Sequence, residues 1–386
     1  MTIKSKKEYF QAIKLRYHNA DKQAKAPILD EFCANCGYNR KYAIRLLNSK
    51  KQRKNKIPSG PKPKYQNKVL LTVLKRLWFT TDQMCSKKLK AAIALWLPFY
   101  EQEYGCIDDR IKTKLYNISP STIDRLLKPV RIQFTNKGHC GTKPGTLLKN
   151  QIPIQTSTWD CSQPGFFEAD TVAHCGNSLA GDFVWSLTFT DILTAWTENR
   201  AVWNKGAQGV LDQIKHIERN LVFPILGFDC DNGSEFLNYH LLRYFTDRPV
   251  RPVKFTRSRP YKKNDNAHVE QKNWSHVRQL LGYNRFDNEV LVNLINDLYT
   301  KYWNPLNNFF SPSMKLISKK RINSKYVKKY DSPKTPYQRL IASEHISDDC
   351  KQSLTDTFLS LNPFTLKKKI ESKLKIIFNT LKRLSL

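Results

Sequence analysis

The sequence predicts a mixed α/β core preceded by all-α units and followed by a small basic module. Three observations carry this. Helical periodicity runs through residues 1–134. From residue 153 the pattern becomes β-β-β-α-β-α-β-α, which suits a mixed sheet with helices on its faces. After residue 292 the chain turns aromatic, basic and proline-punctuated.

Charge narrows the function. Lys+Arg is 65 against Asp+Glu 33, a formal net charge of +32 over 386 residues. That excess argues against a neutral metabolic enzyme and for a polyanionic partner, nucleic acid ahead of an anionic membrane. No run of 18 apolar residues occurs, so no membrane span is predicted. The start, "MTIKSKKEYFQAIKLRYHN", lacks an apolar signal core. Nine scattered cysteines, an odd number, suit a reducing interior. Cys33 and Cys36 form one CxxC without a second pair at zinc-finger spacing.

In residues 1–49, Ile28, Leu29 and Phe32 sit at helical spacing and Gly37 breaks the pattern. Asn39 can cap a further helix with Ala43, Leu46 and Leu47 inward and Arg40, Lys41 and Arg45 outward. Helix, glycine turn and basic helix form the helix-turn-helix pattern, whose second helix can enter a major groove. A plain helical hairpin with a solvated basic face is the other reading. The linker 50–67 includes "KKQRKNKIPSGPKPKY", with seven basic residues and no acidic one. Its prolines forbid regular structure, and Lys62 and Lys64 suit phosphate contacts. Residues 68–134 read as a second helical DNA-binding unit. Ser119 and Pro120 mark a helix start; Ile123, Leu126 and Leu127 form its apolar stripe. Arg125, Lys128 and Arg131 are left for solvent or DNA. Residues 135–152 form a connector.

Within the core, 153–292, strands are predicted in "PGFFEADTVAH", Phe183–Thr190, Ala195–Trp203, "FPILGFD" and "RPVKFT". Helices are predicted over 206–220, over 234–245 and from Asn266. Asp170 lies on the first strand, Asp231 just after the fourth, and Glu270 one turn into the last helix. Sixty residues separate Asp170 from Asp231 and 38 separate Asp231 from Glu270, yet strand ends and an adjoining helix can bring them together. The chemistry of phosphodiester cleavage needs such convergence. Charge grows on both the attacking and the leaving oxygen, and two divalent ions about 4 Å apart neutralise both. Mg²⁺ wants hard oxygen ligands, and Mn²⁺ can substitute. Gly233 and Ser234 let the backbone turn and leave room for a phosphate. Other acids compete. Glu168 shares the strand face of Asp170 and is the strongest rival for the first position. Asp229 suits the turn or an outer position, Asp191 a hairpin turn, and Asp265 a helix start.

"DTVAH", "DCDNGSEF" and "RSRPYKKNDNAHVEQKNW" resemble the catalytic core of DDE transposases and retroviral-type integrases, which has a ribonuclease H-like fold. The chain looks most like bacterial insertion-sequence transposases that carry this integrase-type core. The resemblance covers about residues 160–290. It extends more loosely to "DEFCANCGYNRKYAIRLL", "GTKPGTLLKNQIPI", "NNFFSPSMKL" and "YDSPKTPYQRL", and not to the final 40 residues. It implies that Asp170, Asp231 and Glu270 hold two Mg²⁺ ions. It implies nicking of mobile-element ends and joining of the freed 3′-OH to target DNA, by a homo-oligomer on double-stranded DNA in a prokaryotic cytoplasm, at the nucleoid. A ribonuclease H-like nuclease without strand transfer and a domesticated DNA-binding regulator use the same residues and stay open.

Cations crowd the third acid: Arg257, Arg259, Lys262, Lys263, Lys272 and Arg278 are placed for DNA contact. Tyr261 and Trp274 could stack on bases, with Trp274 in the core as the alternative. His174 and His268 suit water or phosphate orientation or a structural role equally. The module 293–345 reads as β-rich or irregular. The tail 346–386 ends in a basic amphipathic helix, a pattern that suits phosphate contact or oligomerisation.

Overall fold

The structure, a computed structural model, describes residues 1–49, 64–134, 162–230, 233, 235–257 and 267–384. The connector 135–152 and residues 50–63 of the linker lie outside the described residues. Two compact units are present, Met1–Lys64 and Tyr65–Leu386.

The first unit has helices α1 (Ile3–Asn19), α2 (Lys25–Cys36) and α3 (Arg40–Leu47). Its core gathers Ile13, Tyr17, Ile28, Leu29, Phe32, Cys36, Ala43 and Leu47. Gly37 ends α2 in the left-handed conformation, φ 64°, and its N–H bonds Cys33 O. Asn39 then caps α3 by accepting from the Lys41 N–H at 3.0 Å. Arg40, Lys41 and Arg45 are exposed on α3. Arg40 pairs with Asp30, and the Arg45 guanidinium lies 5.4 Å from the Tyr42 ring.

The second unit opens with α4 (Lys68–Thr80), α5 (Ser86–Tyr104), α6 (Asp109–Asn117) and α7 (Pro120–Phe134). Ser119 Oγ accepts from the Thr122 N–H at 3.2 Å, starting α7 where the sequence marks it. Ile123 and Leu127 are buried, while Arg125 and Lys128 are exposed.

Then come β1 (Phe166–Ala173), β2 (Val184–Asp191), β3 (Thr197–Trp203), α8 (Ala207–Asn220), β4 (Gly227–Cys230), α9 (Tyr239–Thr246) and β5 (Lys254–Arg257). Among the described residues they build a five-stranded sheet in the order β3-β2-β1-β4-β5. β1, β2 and β3 are antiparallel neighbours; β4 is parallel to β1, and β5 to β4. This is the ribonuclease H-like mixed sheet, with β1 at its centre. Several boundaries differ from the sequence reading: β4 and β5 are shorter than "FPILGFD" and "RPVKFT" and end one residue later, and two other shifts have a visible cause. β3 starts at Thr197 because the chain first turns around Asp191, whose carboxylate accepts from the Thr194 N–H and Oγ and the Gly165 N–H. α9 starts at Tyr239, not 234, because Asn238 is its cap.

α10 (Ala267–Lys272) continues without a break through a π-helical turn, Asn273–Arg278, to Leu281. α11 (Val290–Leu298) and a second π turn, Tyr299–Trp303, lead into α12 (Asn304–Phe310). A hairpin of β6 (Leu316–Ile322) and β7 (Lys325–Tyr330) follows. α13 (Pro336–Ile341), α14 (Asp348–Ser360) and α15 (Pro363–Leu384) complete the described chain.

The buried side chains of α4–α7, the sheet and α15 belong to one hydrophobic core. Trp96 of α5 donates its indole N–H to Phe310 O at 2.9 Å and meets Phe364 of α15 edge-on at 5.3 Å. The amphipathic terminal helix thus exists, but its stripe of Phe364, Leu366, Ile370 and Ile377 is buried within the chain. That stripe packs inside the chain, while Ile376 and Leu384 of the same helix stay exposed. The consequence is measurable by denaturant unfolding. Phe364→Ala lowers the stability of the second unit by about 3–5 kcal/mol; a helix that was a mere appendage would leave it unchanged.

Candidate active site

The site begins with strand alternation. Phe167 and Ala169 point into the apolar core, where Phe167 stacks on Phe189 at 4.2 Å. Glu168 and Asp170 therefore share the opposite face of β1. Helix 267–281 lies against that face. Asn273 Nδ2 donates to Asp170 Oδ2 at 2.6 Å. Asn273 is three residues past Glu270, so the two side chains leave the same side of the helix. Asp170 is half-buried and Glu270 is exposed. Asp231 lies outside the described residues, but Cys230, just before it, ends β4 and is the register partner of Ala169, just before Asp170.

Glu168 has a different part from the one its rivalry with Asp170 suggests. It is 2% exposed, and its Oε2 accepts the backbone N–H groups of His268 and Val269 at 3.1 and 3.0 Å. Its register partner on β4 is Asp229, also buried. Burial, with the charges of Asp229 and Glu270, pushes the Glu168 carboxyl up to about 8, against the pull of the two N–H bonds. Asp229 accepts from Thr256 Oγ1 of β5 at 2.5 Å, so it lies in the strand and not in the turn after it.

Three participants were not singled out in the sequence. Asn273 is one. Glu235 is another: fully covered, it accepts from Thr171 Oγ1 at 2.9 Å and pairs with Lys205 Nζ at 2.7 Å. Lys205 is the third. Glu235 changes the meaning of Gly233. A Cβ on Gly233 would lie 2.3 Å from Glu235 Oε2 and 2.6 Å from its Cδ. The space that glycine leaves is taken by the Glu235 carboxylate, not kept for a phosphate. Only the "GSE" spacing in the sequence hinted at this.

The basic residues divide. Arg259, Lys262, Lys263 and Lys62 lie outside the described residues, as does Tyr261. Arg257 ends β5 and is exposed; Lys64 closes the first unit. Lys272 is half-buried, its amine 3.3 Å from His276 Nε2, and burial with the nearby charges of Lys88 and Arg339 brings it down to about 7. It faces away from Glu270. Arg278 rests on the Tyr283 ring at 4.8 Å. Trp274 is 55% exposed, not in the core. Arg125 and Lys128 line an open groove on α7 with Asp124, Arg131 and Ile132.

His174 is structural. It is buried, its Nε2 is 2.7 Å from Ser186 Oγ, and Ser186 in turn is 2.9 Å from the Tyr299 hydroxyl. Burial pushes it down to about 3.

Among the described residues, no three His, Cys, Asp or Glu side chains gather as a metal cage. The described acids nonetheless fit the expected ion in kind, since carboxylate oxygens are the donors Mg²⁺ takes.

No protein-family model matches the chain. The uncharacterized protein y4rM of Sinorhizobium fredii is 34% identical over 347 residues, spanning 88% of this chain and 96% of that one. Among solved structures, the catalytic core domain of BIV integrase overlaps 30% of this chain and 68% of its own, at 15% identity and a TM-score of 0.23. A simian T-cell lymphotropic virus intasome bound to the PP2A regulatory subunit B56 gamma overlaps 47% and 58%, at 13% identity and a TM-score of 0.28. The fold follows from strand order and direction, without these overlaps.

The neutral His174 sets a pH dependence. The unfolded histidine takes up a proton near 6.5, and the folded one only near 3. Its contribution is full above about pH 7 and falls as pH drops below 6.5, at up to about 1.4 kcal/mol per pH unit. Urea unfolding between pH 7 and 4 should show a shallower decline for His174→Gln than for wild type. Equal slopes would contradict the assignment.

Proposed function

The chain belongs to the family of the Sinorhizobium fredii protein y4rM, and we propose that it is a DNA transposase of the DDE type. The observation that carries this reading is the contact of Asp170 with Asn273, one turn from Glu270, across 103 residues of sequence. Two acids remote in sequence stand on adjoining elements, and Asp231 follows the strand paired with β1. Asp170, Asp231 and Glu270 would hold Mg²⁺, which when bound supplies the charge neutralisation that phosphodiester chemistry needs.

The N-terminal helices and α7 would hold the ends of a mobile element. Water would attack the phosphorus at an end, and the bond to the 3′ oxygen would break, leaving a 3′-OH. That hydroxyl would attack a target phosphorus in line, expelling the target's 3′ oxygen and forming the joined strand. No covalent protein intermediate is needed. Two ends must meet, so a homo-oligomer on DNA is part of the proposal, as is action in the prokaryotic cytoplasm. No helix among the described residues is long and apolar enough to cross a membrane.

The β6–β7 hairpin supports a DNA partner. It carries Lys319, Lys320, Arg321, Lys325, Lys328 and Lys329 and no acid between Leu316 and Tyr330. Most of it is exposed, and Lys319 Nζ lies 4.5 Å from the Tyr326 ring. A two-stranded ribbon fits a major groove, and cations of one sign suit the phosphates beside it.

Two experiments follow. A labelled duplex carrying the element's terminal sequence is incubated with Mg²⁺ and wild type, Asp231→Ala or Glu270→Ala. Nicked and joined products are expected from wild type alone, with binding kept in all three. Nicking without joining points to a hydrolytic nuclease, and binding without chemistry in any protein to a regulator. Separately, Lys319, Lys325 and Lys328 are changed together to glutamine. The slope of log K against log salt for duplex binding should shrink by about 0.9 for each phosphate that the hairpin no longer neutralises; an unchanged slope removes the hairpin from the interface.

A further inference from the structure

Glu168 is a buried carboxyl that the proposed reaction does not use. It lies deeper than Asp170 on the same strand face, at 2% exposure. A carboxyl in such a place costs free energy unless its oxygens are satisfied. Its Oε2 takes two consecutive backbone N–H groups, of His268 and Val269, 100 and 101 residues away in sequence. Those amides open the helix that runs to Leu281. First-turn N–H groups have no acceptor inside a helix, and the partial positive charge there favours an oxygen. The next residue is Glu270. Three residues on, Asn273 donates to Asp170 Oδ2. The helix is thus pinned to β1 at two points, and Glu270 lies between them.

We propose that Glu168 is a positioning residue, which sets where the Glu270 carboxylate stands relative to Asp170 by holding the His268 and Val269 amides. The proposal rests on the reading of Asp170 and Glu270 as metal-holding acids. Metal-holding side chains must be fixed to within about 0.5 Å. The backbone of the first helical turn sets where the Glu270 side chain starts, and so how far its carboxylate stands from Asp170. β1 fixes that backbone from its own row of side chains. The same strand therefore presents Asp170 and orients the helix of its partner acid.

Two substitutions separate this from a third ligand and from a plain packing role. Glutamine keeps a carbonyl oxygen for the two amides but brings no negative charge. Leucine keeps roughly the volume and removes the acceptor. The full-length chain is used as wild type, Glu168→Gln and Glu168→Leu. Backbone amide exchange at His268 and Val269 is measured without metal or DNA, and Mn²⁺ affinity is measured by electron paramagnetic resonance. In Glu168→Leu the two amides should exchange about tenfold faster or more, and Mn²⁺ affinity should fall about 10- to 100-fold, as for other groups that orient ligands. Glu168→Gln should stay within about threefold of wild type in both.

Unchanged Mn²⁺ affinity in Glu168→Leu overturns the proposal. So does a Glu168→Gln variant that keeps its amides protected yet loses affinity, because charge at 168 would then be what matters. If Glu168→Leu does not fold, Glu168→Gln decides, and must match wild type. Wild type that binds no Mn²⁺ defeats the metal-site reading instead; the exchange rates of His268 and Val269 then decide alone whether Glu168 holds the helix.

Discussion

The first turn of the helix that carries Glu270 has no internal acceptor for the N–H groups of His268 and Val269, and Glu168 on β1 supplies one. The geometry of the site depends on that bond. β1 is the central strand, with β2 antiparallel on one side and β4 parallel on the other. Its position is therefore fixed from both edges, and what it holds is fixed with it. Glu168 reaches the helix start, Asp170 reaches Asn273, and Thr171 reaches Glu235. Side chains of one strand thus touch both other segments that bear the proposed acids.

The arrangement concentrates acid inside a basic protein. Glu168 and Asp229 face one another across parallel strands, a pairing of two acids that sheets avoid when both are charged. Each is stabilised differently: Glu168 by backbone N–H groups and a raised proton affinity, Asp229 by the Thr256 hydroxyl. Glu235 is held by Lys205 and Thr171. Such local conflict is kept in a fold where it positions something. Outside, the formal charge of +32 creates a field that attracts a polyanion and would bring a DNA strand toward the acidic centre.

Much of this was legible in the sequence. Period-2 alternation and turn residues located β1 to β5, and Asn39 and Ser119 cap the helices they were expected to cap. The contacts that organise the site were not legible, because they join residues up to about 100 positions apart. Glu168 looked like a competitor of Asp170 because alternation reports the face of a side chain, not its partner. Gly233 looked like room for a ligand because a missing Cβ does not say which neighbour fills the space. The terminal helix was legible as amphipathic, but the period of its apolar stripe does not say that the stripe packs against α5 of the same chain. Whether Trp274 is exposed or packed could not be read from the sequence, since nothing local distinguishes a stacking ring from a core one.

The most direct test of the central claim is crystallographic. Crystals of the full chain with Mn²⁺ and a duplex carrying the element end would be measured at the manganese absorption edge. The account predicts anomalous peaks held by the carboxylates of Asp170, Asp231 and Glu270, with the Glu168 carboxyl still on the His268 and Val269 amides and away from the metal. Manganese bound elsewhere, or the three carboxylates turned away from one another around the DNA end, would contradict it.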